Sequence, residues 1–175
     1  FNAELIPHVP ELADMANVTR KLNSIEIEKG NPDLRPYVEY NNKFDVAYNI
    51  NRLYFQLAYL YSFSRHPFAP NSYIDNGNIY YITDEYNKSR VHALSSFVNY
   101  EVIRNRLTLS GACTFSKTLF QKDNIEYTKN IWNYYVQAGL NLTKNLSMNF
   151  GIINNRKELR GNLYLAQENA VYFST

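Results

Sequence analysis

Residues 38–63 read VEYNNKFDVAYNINRLYFQLAYLYSF, and apolar and polar side chains alternate along this segment. The apolar residues stand mainly at even positions up to Ile50 and at odd positions from Leu53. A period of two predicts β-strands, and the change of parity predicts a two-residue turn at Asn51-Arg52 that puts both apolar rows on one face. The predicted partners are Ile50 and Leu53, Tyr48 and Phe55, Val46 and Leu57, and Phe44 and Tyr59.

Two later segments repeat this pattern. Residues 92–117 predict a hairpin with a turn at Arg104-Asn105 and Val102 opposite Leu107, and residues 131–153 predict another around a three-residue turn at 143–145. Further predicted partners are Tyr100 and Leu109, and Leu94 and Phe115. With residues 38–63, the sequence therefore predicts an all-β fold, an antiparallel up-and-down meander of long hairpins.

The lengths of the strands and of their connections indicate a membrane. Each predicted strand has at least the roughly 9 to 11 residues that cross a bilayer at a tilt, whereas strands of soluble proteins usually run to about 5 or 6. The predicted turns are short, but the joins around residues 66–87, 119–127 and 154–162 are longer. Short periplasmic turns and long outer loops are typical of outer-membrane barrels. The predicted fold is therefore part of a transmembrane β-barrel located in the outer membrane.

An aromatic girdle is also predicted on the apolar face near the long loops. Its residues are Tyr59, Tyr61, Phe63, Phe115 and Trp132. Residues 1–36 are expected to be a loop region with a short strand leading into the barrel, and residues 37–175 to be barrel strands of one domain. Loose periodicity over residues 10–22 predicts a short helix.

Composition argues against several other classes of protein. The net charge is +2 with acids and bases interleaved, so no basic face for nucleic acid is expected. The mean hydropathy is −0.44 and no apolar run approaches twenty residues, which argues against a transmembrane helix. Cys113 is the one cysteine, and the three histidines, His8, His66 and His92, lack metal-ligand spacing. We therefore expect no metal, no cofactor and no enzymatic activity.

One motif, GNPDLRP at residues 30–36, stands directly before the first long strand. Asn-Pro starts a turn, and each proline restricts the preceding residue to extended conformations. The spacing resembles the G-N-P-x-L-x-P signature of TonB-dependent receptor barrels and of the related outer-membrane β-barrel family common in Bacteroidetes. The residues that carry the resemblance are Gly30, Asn31, Pro32, Leu34 and Pro36.

The resemblance implies a parent receptor that takes up a bulky ligand such as an iron chelate, a vitamin or a glycan. It also implies a TonB-type energising protein that acts through a plug domain, and outer-membrane lipid around the barrel. The ligand-facing loop is expected to include Arg65, His66 and Tyr73. The 175 residues hold seven or eight such strands, against about 22 for a plugged transporter barrel. The chain is therefore expected to be a C-terminal barrel fragment that self-associates when isolated.

Two alternatives stay open on the sequence alone. The barrel could be a structural or adhesive outer-membrane protein that transports nothing. The chain could also be a soluble β-barrel or sandwich that binds an apolar ligand inside. A membrane barrel and a soluble barrel differ in where one row of residues faces. The row faces lipid in the membrane barrel and the interior in the soluble one. That row is Val38, Tyr40, Phe44, Val46 and Tyr48.

Overall fold

The computed structural model describes residues 1–143, 146–154, 157–167 and 169–174, most of which lie in β-strands. The strands, in chain order, are β1 Asn2–His8, β2 Thr19–Lys21, β3 Glu26–Lys29, β4 Tyr37–Ile50, β5 Leu53–Arg65, β6 Phe68–Asp75, β7 Asn78–Glu85, β8 Lys88–Ile103, β9 Leu107–Lys122, β10 Ile125–Asn141, β11 Ser147–Asn154, β12 Lys157–Arg160, β13 Leu163–Ala166 and β14 Ala170–Ser174. A short helix, α1, spans Leu12–Met15.

The main sheet has the strand order β1-β4-β5-β8-β9-β10-β11-β14. Each neighbouring pair in it is antiparallel, which confirms the predicted meander of long hairpins. Within the described residues, β1 and β14 do not pair with each other. The sheet is therefore open and has two free edges.

The predicted register of the first hairpin is confirmed. Ile50 pairs with Leu53 and Phe44 pairs with Tyr59, as do the two predicted pairs between them. The turn is made possible by Asn51, whose φ of 51° lies in the left-handed region that asparagine tolerates better than most residues. The abundance of asparagine thus has a structural use at the turns.

For the second hairpin, the predicted strands are confirmed but the predicted pairing at the turn is wrong. Tyr100 pairs with Leu109 as predicted, but the partner of Leu107 is Ile103 and not Val102. A bulge between Glu101 and Ile103 takes up the extra residue, and the turn spans residues 104–106. The bulge restores the parity of the two strands, and this is why the rest of the predicted register holds.

The third hairpin has Leu140 opposite Met148 and Val136 opposite Ile152, so its two even rows share a face as predicted. At its tip, the amides of Leu142 and Thr143 both donate to the carbonyl of Leu146, at 3.0 and 3.2 Å. Residues 144 and 145 of the predicted turn lie outside the described residues.

The connections are long at one end of the sheet, with one exception. Residues 66–87 form a long join that carries β6 and β7, and the join between β11 and β14 carries β12 and β13. The long join expected at residues 119–127 is wrong, because β9 continues to Lys122 and β10 starts at Ile125. Asp123, with a φ of 53°, makes this turn. We call this end of the sheet the loop end, and the opposite end, with residues 51–52, 104–106, 142–143 and 146, the turn end.

Residues 1–36 contain more regular structure than the expected loop region. β1 joins the main sheet by pairing with β4, and β2 and β3 belong to a smaller sheet. The helix expected over residues 10–22 is confined to Leu12–Met15, and Thr19–Lys21 is a strand. Among the described residues, no helix has the length and apolar content needed to span a membrane.

The two faces of the main sheet differ in chemistry and in exposure. Apolar side chains on one face are open to the surroundings, and Phe44, Tyr48 and Val136 are 56, 58 and 59 % exposed. On the other face polar side chains dominate, and at the loop end Ser62 and Ser64 are only 5 and 1 % exposed. The predicted aromatic residues lie on the apolar face, where the rings of Phe115 and Trp132 are 4.8 Å apart. The row expected to distinguish a membrane barrel from a soluble one therefore lies on the exposed apolar face, opposite to the face that the cap covers.

This arrangement predicts what spin labels at neighbouring positions of β4 will report. In a Cys113→Ser background reconstituted in lipid vesicles, a label at Phe44→Cys should be relaxed mainly by oxygen, which concentrates in hydrocarbon. A label at Lys43→Cys should be relaxed mainly by a water-soluble nickel chelate, because Lys43 lies on the polar face. Accessibility measured by power saturation checks this. The reverse order would contradict the orientation of the sheet.

Candidate functional site

The polar face is covered at the loop end by a folded structure that we call the cap. It consists of a four-stranded sheet, in the order β2-β3-β7-β6, and the hairpin β12–β13. β7 pairs with β6 in an antiparallel hairpin and with β3 in a parallel pair. The cap therefore combines a segment that precedes the first long strand with the long join between β5 and β8.

The β6–β7 hairpin was not predicted, although the sequence carries a signal for it. Asn76 and Gly77 form its turn with φ values of 48° and 78°. Asn-Gly between two runs with strand-forming residues is the strongest local indication of a two-residue hairpin. This turn sets Tyr73 opposite Tyr80.

The first two residues of the motif at 30–36 connect the cap to α1. A Cβ atom on Gly30 would lie 1.7 Å from the carbonyl oxygen of Ala16, so this close approach requires glycine. The amide of Asn31 donates to the carbonyl of Asp14 at 2.6 Å, and its Nδ2 donates to the carbonyl of Thr83 at 3.2 Å. Asn31 thereby ties the segment before β4 to both α1 and β7.

The rest of the motif directs the chain from the cap into the main sheet. The Asn31 Oδ1 atom accepts a hydrogen bond from the amide of Asp33 at 3.1 Å, which closes a turn over Pro32. Leu34 is 4 % exposed, so its side chain is buried, whereas Pro36 is exposed and precedes β4. All these contacts are structural, and they place the motif at the junction of cap and main sheet.

Tyr86, directly after β7, makes an apolar contact between the cap and the main sheet. It is 1 % exposed, and its ring meets those of Phe120 on β9 and Tyr127 on β10 edge to face, with centroids 5.4 and 6.2 Å apart. Its hydroxyl donates to the carbonyl of Pro70 on β6 at 3.4 Å. Burial raises the pKa of the Tyr86 phenol to about 12, so the group is neutral and keeps its proton for this bond at physiological pH.

An ion pair and an asparagine side chain add polar contacts between the main sheet and the cap. Lys122 on the polar face of β9 pairs with Asp84 on β7. Asn133 on β10 donates from Nδ2 to the carbonyl of Lys157 at 3.3 Å and accepts from its amide at 3.0 Å, so it binds β12 as a neighbouring strand would. Such paired bonds satisfy the backbone of a short hairpin away from any sheet edge.

The hairpin β12–β13 is fixed to β6 in the same way. Asn162 accepts from the amide of Ser72 at 2.9 Å and donates to its carbonyl at 2.8 Å. Next to it, a Cβ atom on Gly161 would lie 2.1 Å from the carbonyl oxygen of Pro70, and its φ of 59° also favours glycine. The two parts of the cap are thus joined directly to each other.

A small cavity of about 210 Å³, with a mainly apolar lining, remains between the cap and the main sheet. Glu39 is held in it by His8, with Nε2 2.9 Å from Oε2, and by Ser62, whose hydroxyl donates to Oε1 at 2.5 Å. Arg160 from β12 also lines the cavity. Sites for drug-sized ligands usually have about 300 to 1,000 Å³, so a bulky ligand does not fit here.

The three residues expected in a ligand-facing loop are placed differently from one another. Arg65 ends β5, and His66 has its Nδ1 atom 2.7 Å from Oε1 of Glu85 at the base of the hairpin. Tyr73 lies five residues beyond Phe68 along β6, or roughly 17 Å farther. The structure therefore does not bring Tyr73 together with the other two.

Tyr73 instead belongs to an aromatic stack on the cap. Its ring is parallel to that of Tyr80 within 10°, with centroids 5.1 Å apart, and Tyr73 is 40 % exposed. Lys29 on β3 places its Nζ atom 4.5 Å from the centroid of the Tyr80 ring. The stack offers a flat aromatic surface beside a cation, and Tyr80 and Lys29 were not predicted as part of it.

Within the described parts of the chain, no group of three or more His, Cys, Asp or Glu side chains is arranged to hold a metal ion. A family model described as "Outer membrane protein beta-barrel family" matches residues 7–173. No curated protein matches the chain. The matched residues include the main sheet and both parts of the cap.

The contacts of Asn31 predict a measurable effect on the cap. Asn31→Ala removes the bonds of a part-buried side chain, which should lower the free energy of opening the cap by about 1 to 3 kcal/mol. Hydrogen exchange of the β3 and β7 amides should then lose roughly 5-fold to 150-fold of its protection. Asn124→Ala, in the exposed turn between β9 and β10, is the control and should leave this protection unchanged. Equal protection in Asn31→Ala and the wild type would show that the motif does not hold the cap.

Proposed function

Since the chain belongs to the outer membrane protein β-barrel family, we propose that it forms part of the wall and outer loops of a receptor barrel that takes up a bulky ligand. Its location is the outer membrane, and its apolar face is in contact with lipid. β4, β5, β8, β9 and β10 have 13 to 17 residues, more than the roughly 9 to 11 that a tilted strand needs. The excess supports loops built outside the membrane.

The observation that carries the proposal is the cap itself. Long loops of outer-membrane barrels face outward and short turns face the periplasm, so the loop end and its cap are the first part that a ligand meets. The exposed Tyr73 on the Tyr80 ring, beside Lys29, suits a ligand with a flat or ring-shaped surface and anionic or hydroxyl groups. An iron chelate, a vitamin and a glycan all meet this description.

The other parts of the proposal concern the parent molecule. The free edges β1 and β14 would pair with further strands of a closed barrel, because a sheet in lipid cannot leave its backbone groups unpaired. A plug domain and a TonB-type protein would supply the energy for uptake. The proposed activity is binding and passage, and it assigns no catalytic step to any residue of the chain.

Uptake measurements in cells test the receptor function. A strain that lacks the complete gene should lose uptake of a ferric chelate, cobalamin or an oligosaccharide, each supplied as radiolabelled probe at limiting concentration. The gene carrying Tyr73→Ala should restore uptake about 5-fold less well than the wild type, because an exposed tyrosine at the centre of a contact contributes about 1 kcal/mol or more. Ile74→Ala, on the opposite face of β6, is the matched control and should restore it fully.

Two further outcomes separate the alternatives. Collapse of the proton motive force should abolish uptake by the wild type if the barrel is energised. If deletion of the gene changed no uptake but weakened the envelope or cell adhesion, the barrel would be structural or adhesive, and the receptor proposal would be wrong.

We also propose that the isolated chain self-associates outside a membrane. Its apolar face and its two free edges are both available for contact with a second copy. Sedimentation velocity without detergent should show dimers or larger species that detergent micelles disperse. A clean monomer at high concentration without detergent would contradict this.

A further inference from the structure

A group of cations interrupts the apolar face at the loop end. On this face, Arg65 ends β5, Lys88 and Arg90 begin β8, and Lys117 lies on β9. We call these four residues the basic patch. Arg65, Arg90 and Lys117 are exposed and Lys88 is half-buried. In the same rows of the sheet the nearest carboxylate, Glu126, lies on β10 opposite Gln121.

The register places like charges next to each other. Arg65 pairs directly with Lys88, and Arg90 is the next residue of β8 on the same face. Like charges directly opposite on neighbouring strands are destabilising. Among the residues that the structure describes, none of the four cations of the patch forms an ion pair. An external anion would offset this repulsion.

The position of the patch relative to the aromatic residues defines its depth in the membrane. Arg90 stacks over the ring of Phe63, with Cζ 5.8 Å from the centroid. His92 lies one row nearer the turn end. Its Nδ1 atom is hydrogen-bonded to the Tyr59 hydroxyl at 2.7 Å, and its ring packs against that of Tyr61. Aromatic belts lie at the level of the lipid head groups, so the cations beside and beyond these rings lie where lipid phosphates are found.

We propose that the basic patch binds the phosphate groups of an anionic lipid in the outer leaflet. Arginine presents a planar fork that matches phosphate, and lysine adds a flexible charge, so the patch suits more than one phosphate of a single head group. The side chains project from the face that meets hydrocarbon, which favours a lipid over a soluble anion. The inference rests on the outer-membrane location and the outward loop end, and it does not require the receptor function.

The test compares two triple variants of equal charge change in the full chain. Lys88→Gln/Arg90→Gln/Lys117→Gln removes three cations of the patch, and Arg52→Gln/Arg104→Gln/Arg106→Gln removes three from the turn end. The probe is diphosphoryl lipid A, added to the chain in neutral detergent micelles and measured by native mass spectrometry. The patch variant should bind at least about 10-fold more weakly than the wild type, and the turn-end variant should bind as the wild type does. A β-sheet circular dichroism spectrum equal to that of the wild type in the same micelles shows that both variants are folded.

The wild type provides a second measurement that needs no variant. It should bind diphosphoryl lipid A at least about 10-fold more tightly than the same lipid without its phosphates, and millimolar inorganic phosphate should not displace the lipid. Equal binding of the two lipids, or an equal loss in both triple variants, would overturn the proposal. Displacement by inorganic phosphate would overturn it in favour of a soluble anion.

Discussion

The pairing of backbone groups between neighbouring strands is the constraint on which the rest of the structure depends. Hydrocarbon offers no partner for an N–H or C=O group, so a chain that crosses it with strands must satisfy them across a ladder of partners. That ladder forces side chains to alternate between two faces. Lipid then selects apolar residues for one face only, which accounts for apolar side chains such as Phe44 and Val136 that are more than half exposed.

At the loop end the strands are stabilised in a different way, by contacts with the cap. Side chains of the polar face such as Ser62 and Ser64 are buried there because the cap packs against them. Tyr86 supplies the apolar contact to Phe120 and Tyr127, and Asn133 and Asn162 supply backbone-like bonds where no strand pairing is available. The cap is thus joined to the main sheet without extending it, and it leaves the ring of Tyr73 exposed.

The sequence-based predictions were more accurate for the long hairpins of the main sheet than for the loop end. The register around Asn51-Arg52 was predicted in full, because alternation and a tight turn leave one pairing that keeps the apolar rows together. The bulge before residues 104–106 was missed, since an extra residue in one strand leaves the pattern on either side unchanged. The join expected at residues 119–127 was wrong because β9 and β10 stay paired up to Lys122 and Ile125, in a stretch where apolar and polar residues no longer alternate.

By itself the sequence therefore determined the class of fold, the residues of the apolar face and the pairing of the predicted hairpins. Each of these depends on a period of two and on local turns, which a linear pattern records. Only the tertiary structure decided how the cap is built: the parallel pairing of β3 with β7, the approach of Gly30 to Ala16 and the packing of Tyr86. These contacts join segments that are not neighbours in the pattern, and they depend on shape and hydrogen bonding, which have no periodic signature in the sequence.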